Sequence, residues 1–282
     1  MKRKILLLSA LALVLLAMAL LSSCGKGTEG LEFIEINDNE VGVKCGEAVN
    51  ETEIVIPNKH KGKKVTTIMT TAFSKCKKMV SITIPDTVTK VETGAFYDCT
   101  ALENVYYKGT VKDWCNIEFA MGSSSPMGEA ENFYAKGKEI TTLKLKKISE
   151  IKAYTFFGFD NLESFEADKN LISIGENAFA GCSKLSSVTL PSALEKLGKL
   201  AFSSCPKLKE ITLPASVYQI HALTFYDSGL STITFENTEK WFVTTNENAT
   251  SGGVHDVTDP EMNAYKLVRH GTGFLKRTLP KT

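Results

Sequence analysis

The sequence predicts a β-rich α/β chain wound into a right-handed solenoid. Short parallel strands stack into a sheet, and irregular modules, each with a tryptophan, interrupt and end the stack. Three observations predict it. One apolar–Phe pattern recurs at a 23-residue spacing, a short alternating segment follows each copy, and the only two tryptophans stand in similar surroundings where the pattern breaks.

The pattern is apolar, two residues, apolar, four residues, Phe. It occurs as Val65/Ile68/Phe73, Val88/Val91/Phe96, Ile148/Ile151/Phe156, Leu171/Ile174/Phe179, Leu194/Leu197/Phe202 and Val217/Ile220/Phe225. Copies are 23 residues apart except for one interval of 60, a period plus a 37-residue insertion. Three residues after each Phe stands Cys76, Cys99, Phe159, Cys182, Cys205 or Ser228, followed by Met79, Leu102, Leu162, Leu185, Leu208 or Leu230. The alternating segments come next: Ile82-Thr83-Ile84, Val105-Tyr106-Tyr107, Phe165-Glu166-Ala167, Val188-Thr189-Leu190, Ile211-Thr212-Leu213 and Ile233-Thr234-Phe235. Ile54-Val55-Ile56 and Leu143-Lys144-Leu145 add two without the upstream Phe. A period of two with β-branched residues is a strand signal. Pro57, Pro85, Pro191 and Pro214 end the strands they follow. One such strand cannot bury its apolar face alone, so the copies must stack, about 4.8 Å per coil, around a shared interior.

The unit A-F-x-x-C-x-x-L-x-x-I-x-I/L-P-x-x-V/L-x-x-I, clearest from Ala72-Phe73 to Val91 and from Ala178-Phe179 to Leu197, resembles the BspA-type leucine-rich repeats of bacterial surface proteins. Its period lies within the leucine-rich-repeat range of about 20–29 residues. The resemblance covers roughly residues 54–235. It implies a leucine-rich-repeat solenoid on a secreted or surface-attached protein with a role in adhesion or protein binding. Phe159 and Ser228 at the Cys position and the Phe165-Glu166-Ala167 strand depart from the pattern, which bears on any uniform ligand-binding face.

At the N-terminus, Met1-Lys2-Arg3-Lys4 precedes an apolar run from Ile5 to Leu21 and then Ser22-Ser23-Cys24. These are the parts of a secretory signal peptide. The run reaches the short edge of a membrane-spanning length, so a retained anchor is the rival reading. Leu21-Ser22-Ser23-Cys24 resembles the lipobox of bacterial lipoproteins, which implies cleavage before Cys24 and acylation of its thiol, the membrane being met through that lipid. The expected organisation is a signal peptide (1–23), a lipidated tether (24–30), an N-terminal β cap (31–64), repeats (65–107), an inserted Trp module (108–138), repeats (139–235) and a C-terminal cap module (236–282). Each Trp module is expected to cover an end or side of the apolar interior. Trp114 follows Val105-Tyr106-Tyr107 and precedes Asn132-Phe133-Tyr134, while Trp241 follows Ile233-Thr234-Phe235 and precedes Tyr265.

With 43% hydrophobic residues among 282, the chain can build a core. Lys+Arg 33 against Asp+Glu 32 argues against a nucleic-acid partner. Seven cysteines without a CxxC pair and four scattered histidines make a metal site or redox motif unexpected. Cys76, Cys99, Cys182 and Cys205 share one repeat position, so they should form a ladder of buried thiols with parallel Cβ vectors, poor geometry for disulfides. A bridge between Cys45 and Cys115 stays open. Thr83, Tyr106, Lys144, Glu166, Thr189, Thr212 and Thr234 lie between the apolar strand positions and should form the outward face of the sheet. That face is a candidate binding surface, or simply a solvated pleat suited to threonine. The basic turn Lys59-His60-Lys61-Gly62-Lys63-Lys64 is read as solvated, or as a contact for an anionic surface. No catalytic motif and no cofactor signature occurs. The expected function is a lipid-anchored, non-enzymatic binding module or adhesin for a protein or glycan partner. The alternative is a structural or assembly component of the bacterial cell envelope.

Overall fold

In the computed structural model the described residues are 27–221, 223–249, 251–269 and 273–278. They coil as a β-solenoid. The alternating segments form parallel rungs. Glu53–Val55, Ser81–Ile84, Asn104–Tyr107 and Asn132–Ala135 make one sheet; Thr142–Leu145, Ser164–Ala167 and Ser187–Thr189 a second; Glu210–Leu213 and Thr232–Phe235 a third. The pairing is in repeat register, Ile82 opposite Val105 and Val105 opposite Phe133. Equivalent side chains therefore enter the interior at one level, and Ile82, Val105 and Phe133 are all buried. Strands of two to six residues form a second wall: Lys63–Ile68, Lys90–Val91 and Glu118–Phe119, then Glu150–Ile151, Ser173–Ile174, Lys196–Leu197 and Gln219–His221.

The repeated phenylalanine sits in a tight turn between two left-handed residues. Thr71 and Lys75 flank Phe73, Asn177 and Gly181 flank Phe179, and Leu200 and Ser204 flank Phe202, all with φ between 51° and 75°. Two such residues reverse the backbone over a few positions and leave the ring pointing inward. The turn is secured by the next coil, since the amides of Phe73, Phe156, Phe179 and Phe202 each donate to a carbonyl there at 2.8 Å. The rings stack into a ladder: Phe156 on Phe179 at 5.2 Å, Phe179 on Phe202 at 5.1 Å, Phe202 on Phe225 at 6.0 Å, and separately Phe73 on Phe96 at 5.5 Å.

The inserted segment lies within the stack and does not merely cover an end or side of it. It winds as a longer coil in which Asn132 pairs with Asn104, 28 residues earlier. Glu118–Phe119 extends the second wall beside Lys90–Val91. Here Phe96 N–H donates to Ser123 C=O, so Ser124 stands where a ladder phenylalanine would. The missing aromatic volume comes from Trp114, fully buried against Phe133 (4.7 Å), Tyr107 and Phe119 (5.2 Å each) and Phe159 (6.1 Å). A capping box on Thr110 and Asp113 starts the single-turn helix Val111–Trp114 that aims the indole inward. Its Nε1–H donates to Thr155 C=O at 2.7 Å, in the following repeat array. Gly158 is needed at the same junction. Its φ is +73°, and a Cβ there would meet Met127 O at 2.3 Å.

At the N-terminal end an antiparallel pair, Glu32–Glu35 with Glu40–Lys44, joins the second wall beside Lys63–Ile68. The basic turn is the tip of a short hairpin, with Lys59, Lys61 and Lys64 exposed and His60 and Lys63 partly covered. Lys59–His60 pairs with Lys63–Lys64, the His60 ring stacks on Phe33 at 3.9 Å, and Lys63 Nζ lies 2.7 Å from the Glu35 carboxylate. At the other end Phe274–Arg277 runs antiparallel beside Gln219–His221, with Trp241–Thr244 beyond it. Trp241 is buried against Phe235 at 4.9 Å. The helix Pro260–Arg269 lies against the last rung, where the buried Asn263 amide donates to Ile233 C=O and Val257 C=O. The side chain thus satisfies an edge carbonyl that a further strand would otherwise take.

Candidate functional site

The outward residues of the rungs fall into register rows. Val55, Thr83, Tyr106 and Tyr134 form one row, Lys144, Glu166 and Thr189 the next, and Thr212 with Thr234 the last. Of the seven residues expected on this face, Lys144, Glu166, Thr189, Thr212 and Thr234 are exposed and Tyr106 is half-buried. Thr83 departs from the expectation, being only 2% exposed. Its side chain is short and stands between Val55, of similar size, and the much larger Tyr106 in adjacent rungs. Cys24 lies outside the described residues.

Two interruptions divide the face. At the first, the chain turns back on itself, with Lys138–Glu139 pairing antiparallel with Tyr134–Ala135. That hairpin separates the first sheet from the second. A side-chain amide spans the gap, as Asn161 donates to Asn132 at 2.6 Å, and Asn132 in turn donates to Asn104 within the first sheet at 3.1 Å. Tyr106 and Tyr134 stack beside it at 4.9 Å. Burial, and then the neighbouring Tyr134 and Glu53, push the Tyr106 phenol up, while burial and Glu139 do the same for Tyr134. Both rings stay neutral at physiological pH and offer hydroxyl groups beside flat apolar surface. The adjacent Lys144–Glu166 ion pair, 3.6 Å apart and largely exposed, contributes about 0–1 kcal/mol.

The second interruption lies between Ser187–Thr189 and Glu210–Leu213. These rungs follow one another in the repeat but belong to different sheets. The coil remains joined elsewhere, because Lys196–Leu197 pairs with Gln219–Ile220 and Phe179 N–H bonds to Ala201 C=O. A cleft of about 450 Å³ opens in the face, lined by Thr189, Thr212, Thr234, Glu210, Glu236 and Val188 among others. Val188 is only partly covered there, although its position is apolar in every copy. Three residues expected from the alternating pattern thus converge, together with Glu210 and Glu236, which strand alternation alone did not single out. A second cleft, about 670 Å³, lies between the turn Tyr226–Ser231 and the helix Pro260–Arg269, bordered by Tyr226, Tyr265, Asp227, Glu261 and Arg269. Sequence reading missed it because its two walls are some 35 residues apart and only one belongs to the repeat.

Among the described residues no three His, Cys, Asp or Glu side chains converge to hold a metal ion. All six described cysteines are free and buried, so the Cys45–Cys115 bridge is not present. Cys45 instead lies beside Cys76, and Cys115 ends the Trp114 helix.

Stacked coils, an aligned phenylalanine ladder and an outward parallel sheet define a leucine-rich-repeat solenoid. A model of the BspA-type leucine-rich repeat region matches in six copies over residues 39–125 and 129–246, and the chain belongs to that family. Among solved structures it is similar to a leucine-rich repeat protein of T. pallidum, at 18% identity over 75% of this chain and 85% of that one, with a TM-score of 0.38. It is also similar to a leucine-rich cell surface protein of Faecalibacterium prausnitzii (16%; 77% and 96%; TM-score 0.35) and to the pneumococcal vaccine antigen PcpA (16%; 84% and 87%; TM-score 0.32). No curated protein matches the chain.

Proposed function

We propose that this chain is a non-enzymatic binding module of the bacterial cell surface, held to the membrane by lipid on Cys24, which engages a protein or glycan partner through its exposed sheet. The observation that carries the reading is the split in that sheet. Across Ser187–Thr189, Glu210–Leu213 and Thr232–Phe235 the face presents threonine hydroxyls and the Glu210 and Glu236 carboxylates around a cleft of about 450 Å³. Such a surface recognises a partner by several shallow polar contacts along the solenoid.

The test uses the chain from residue 25 onward on glycan and protein arrays, beside the double variant Thr189→Lys/Thr212→Lys. Both positions are exposed, so stability should stay within about 0.5 kcal/mol. Affinity for the array hit should fall at least about tenfold, or 1.4 kcal/mol. A variant that binds as well as the parent removes the cleft from the reading. Anchoring is supported by the lipobox-like Leu21-Ser22-Ser23-Cys24. Metabolic labelling with a palmitate analogue should mark the full chain and be abolished by Cys24→Ala; labelling that persists in the variant would remove the lipid anchor.

A further inference from the structure

The four ladder cysteines follow a rule with one exception. Cys99 donates its thiol to Phe73 C=O at 3.0 Å, Cys182 to Phe156 C=O at 3.3 Å and Cys205 to Phe179 C=O at 3.2 Å, in each case 26 residues back. Cys76 opens the ladder and has no phenylalanine at that spacing, because residue 50 is an asparagine. Its sulfur instead lies 3.2 Å from the sulfur of Cys45, the residue that follows the strand Glu40–Lys44. Both are buried, at 2% and 6% exposure. The two segments are already tied, since Cys45 N–H donates to Ala72 C=O at 2.9 Å and Met69 N–H to Val43 C=O at 3.1 Å.

Cysteines at one repeat position are held with parallel Cβ vectors one coil apart, which is poor disulfide geometry. Cys45 occupies a different repeat position from the ladder cysteines, since its N–H donates to Ala72 C=O as the N–H groups of the ladder phenylalanines donate to the following coil, so its Cβ direction is not bound by that constraint. The sulfurs need approach by only about 1.2 Å to reach the disulfide length of about 2.05 Å. Cys115 is buried alone and has no comparable neighbour among the described cysteines.

We infer that Cys45 and Cys76 are a disulfide-forming pair that clips the N-terminal hairpin to the first coil. The oxidant is a disulfide, small-molecule or protein-borne, of the kind that oxidises exported thiols. The Cys76 thiolate attacks one sulfur of the oxidant, forming a mixed disulfide and releasing the oxidant's other sulfur as a thiolate. The Cys45 thiolate then attacks Cys76 Sγ and releases the remaining sulfur. Two protons leave the cysteines, and the oxidant's two sulfurs end as thiols. Burial of both groups places the reaction before or during docking of the hairpin. The bond closes a 31-residue separation and restricts the unfolded chain.

The test refolds the full chain with oxidised glutathione, denatures it without reductant, alkylates it and maps its peptides by mass. The expected result is one cross-linked pair, Cys45 with Cys76, two hydrogens lighter than the free peptides, with Cys99, Cys115, Cys182 and Cys205 alkylated and Cys24 in no cross-link to another cysteine of the chain. Added reductant should lower the melting temperature of the parent by several degrees and leave that of Cys45→Ala/Cys76→Ala unchanged. Complete alkylation of both residues, or a cross-link of Cys76 to Cys99, overturns the inference. Since the mapping is done on the parent chain, it holds even if the double variant does not fold. Neither ligand binding nor lipidation enters the readout.

Discussion

Replacing Phe179 with alanine is expected to destabilise the protein by about 3–5 kcal/mol, as truncation of a fully buried aromatic does. Phe179 has no exposed surface. Its ring is stacked on both sides, by Phe156 at 5.2 Å and Phe202 at 5.1 Å, and meets Phe165 at 4.6 Å. The ladder offers no way to collapse into the space left, because the backbone of each coil is pinned by hydrogen bonds to the next. Phe225 ends the ladder with one stacked neighbour at 6.0 Å, so Phe225→Ala should cost less. Urea denaturation followed by circular dichroism measures both. A loss below about 1 kcal/mol at Phe179 would mean that the ring is not part of a packed interior.

Replacing Trp114 with alanine is expected to have an effect of similar size, about 3–5 kcal/mol, and a different character. Trp114 fills the position left by Ser124 and is the side chain that reaches from the inserted coil to Thr155 in the second array. In a solenoid each coil is stabilised through its neighbours, so a weakened junction should let the two arrays unfold separately. Trp114→Phe isolates the hydrogen bond. It keeps much of the ring volume but leaves Thr155 C=O without its donor, which should cost about 1–3 kcal/mol. Trp241 is the remaining tryptophan in these variants and reports on the C-terminal end. Its fluorescence transition should separate from the circular-dichroism transition in Trp114→Ala and coincide with it in the parent. Coincident transitions in both proteins would show that Trp114 does not couple the arrays.

The stacking was legible because the repeat is a period in chemistry as well as in number. Phe73, Phe96, Phe156, Phe179, Phe202 and Phe225 are all fully buried, and Phe165-Glu166-Ala167, degenerate as a motif, still pairs on both sides. The outward face was partly legible. Alternation identifies which side of a strand a residue takes, and Lys144, Glu166, Thr189, Thr212 and Thr234 are indeed exposed. It does not say how large the neighbouring side chains are, and Thr83, beside Tyr106, is covered. The likeness of Asn104-Val105-Tyr106-Tyr107 to Asn132-Phe133-Tyr134-Ala135 was present in the sequence. Its spacing differs from the common period, which hid a regular rung inside what reads as an insertion.

From the sequence alone came the coil, its register and its interior, because these depend on short-range alternation and on identical side chains meeting their own copies one period away. Tertiary structure alone decided where the sheet opens, what Trp114 touches and which thiol meets Cys45. Those outcomes depend on contacts between segments that share no period: the hairpin against the first coil, the long coil against the second array, and one rung that fails to pair with the next. No local pattern encodes such a meeting, since each partner looks ordinary until the chain has wound around and brought the other beside it.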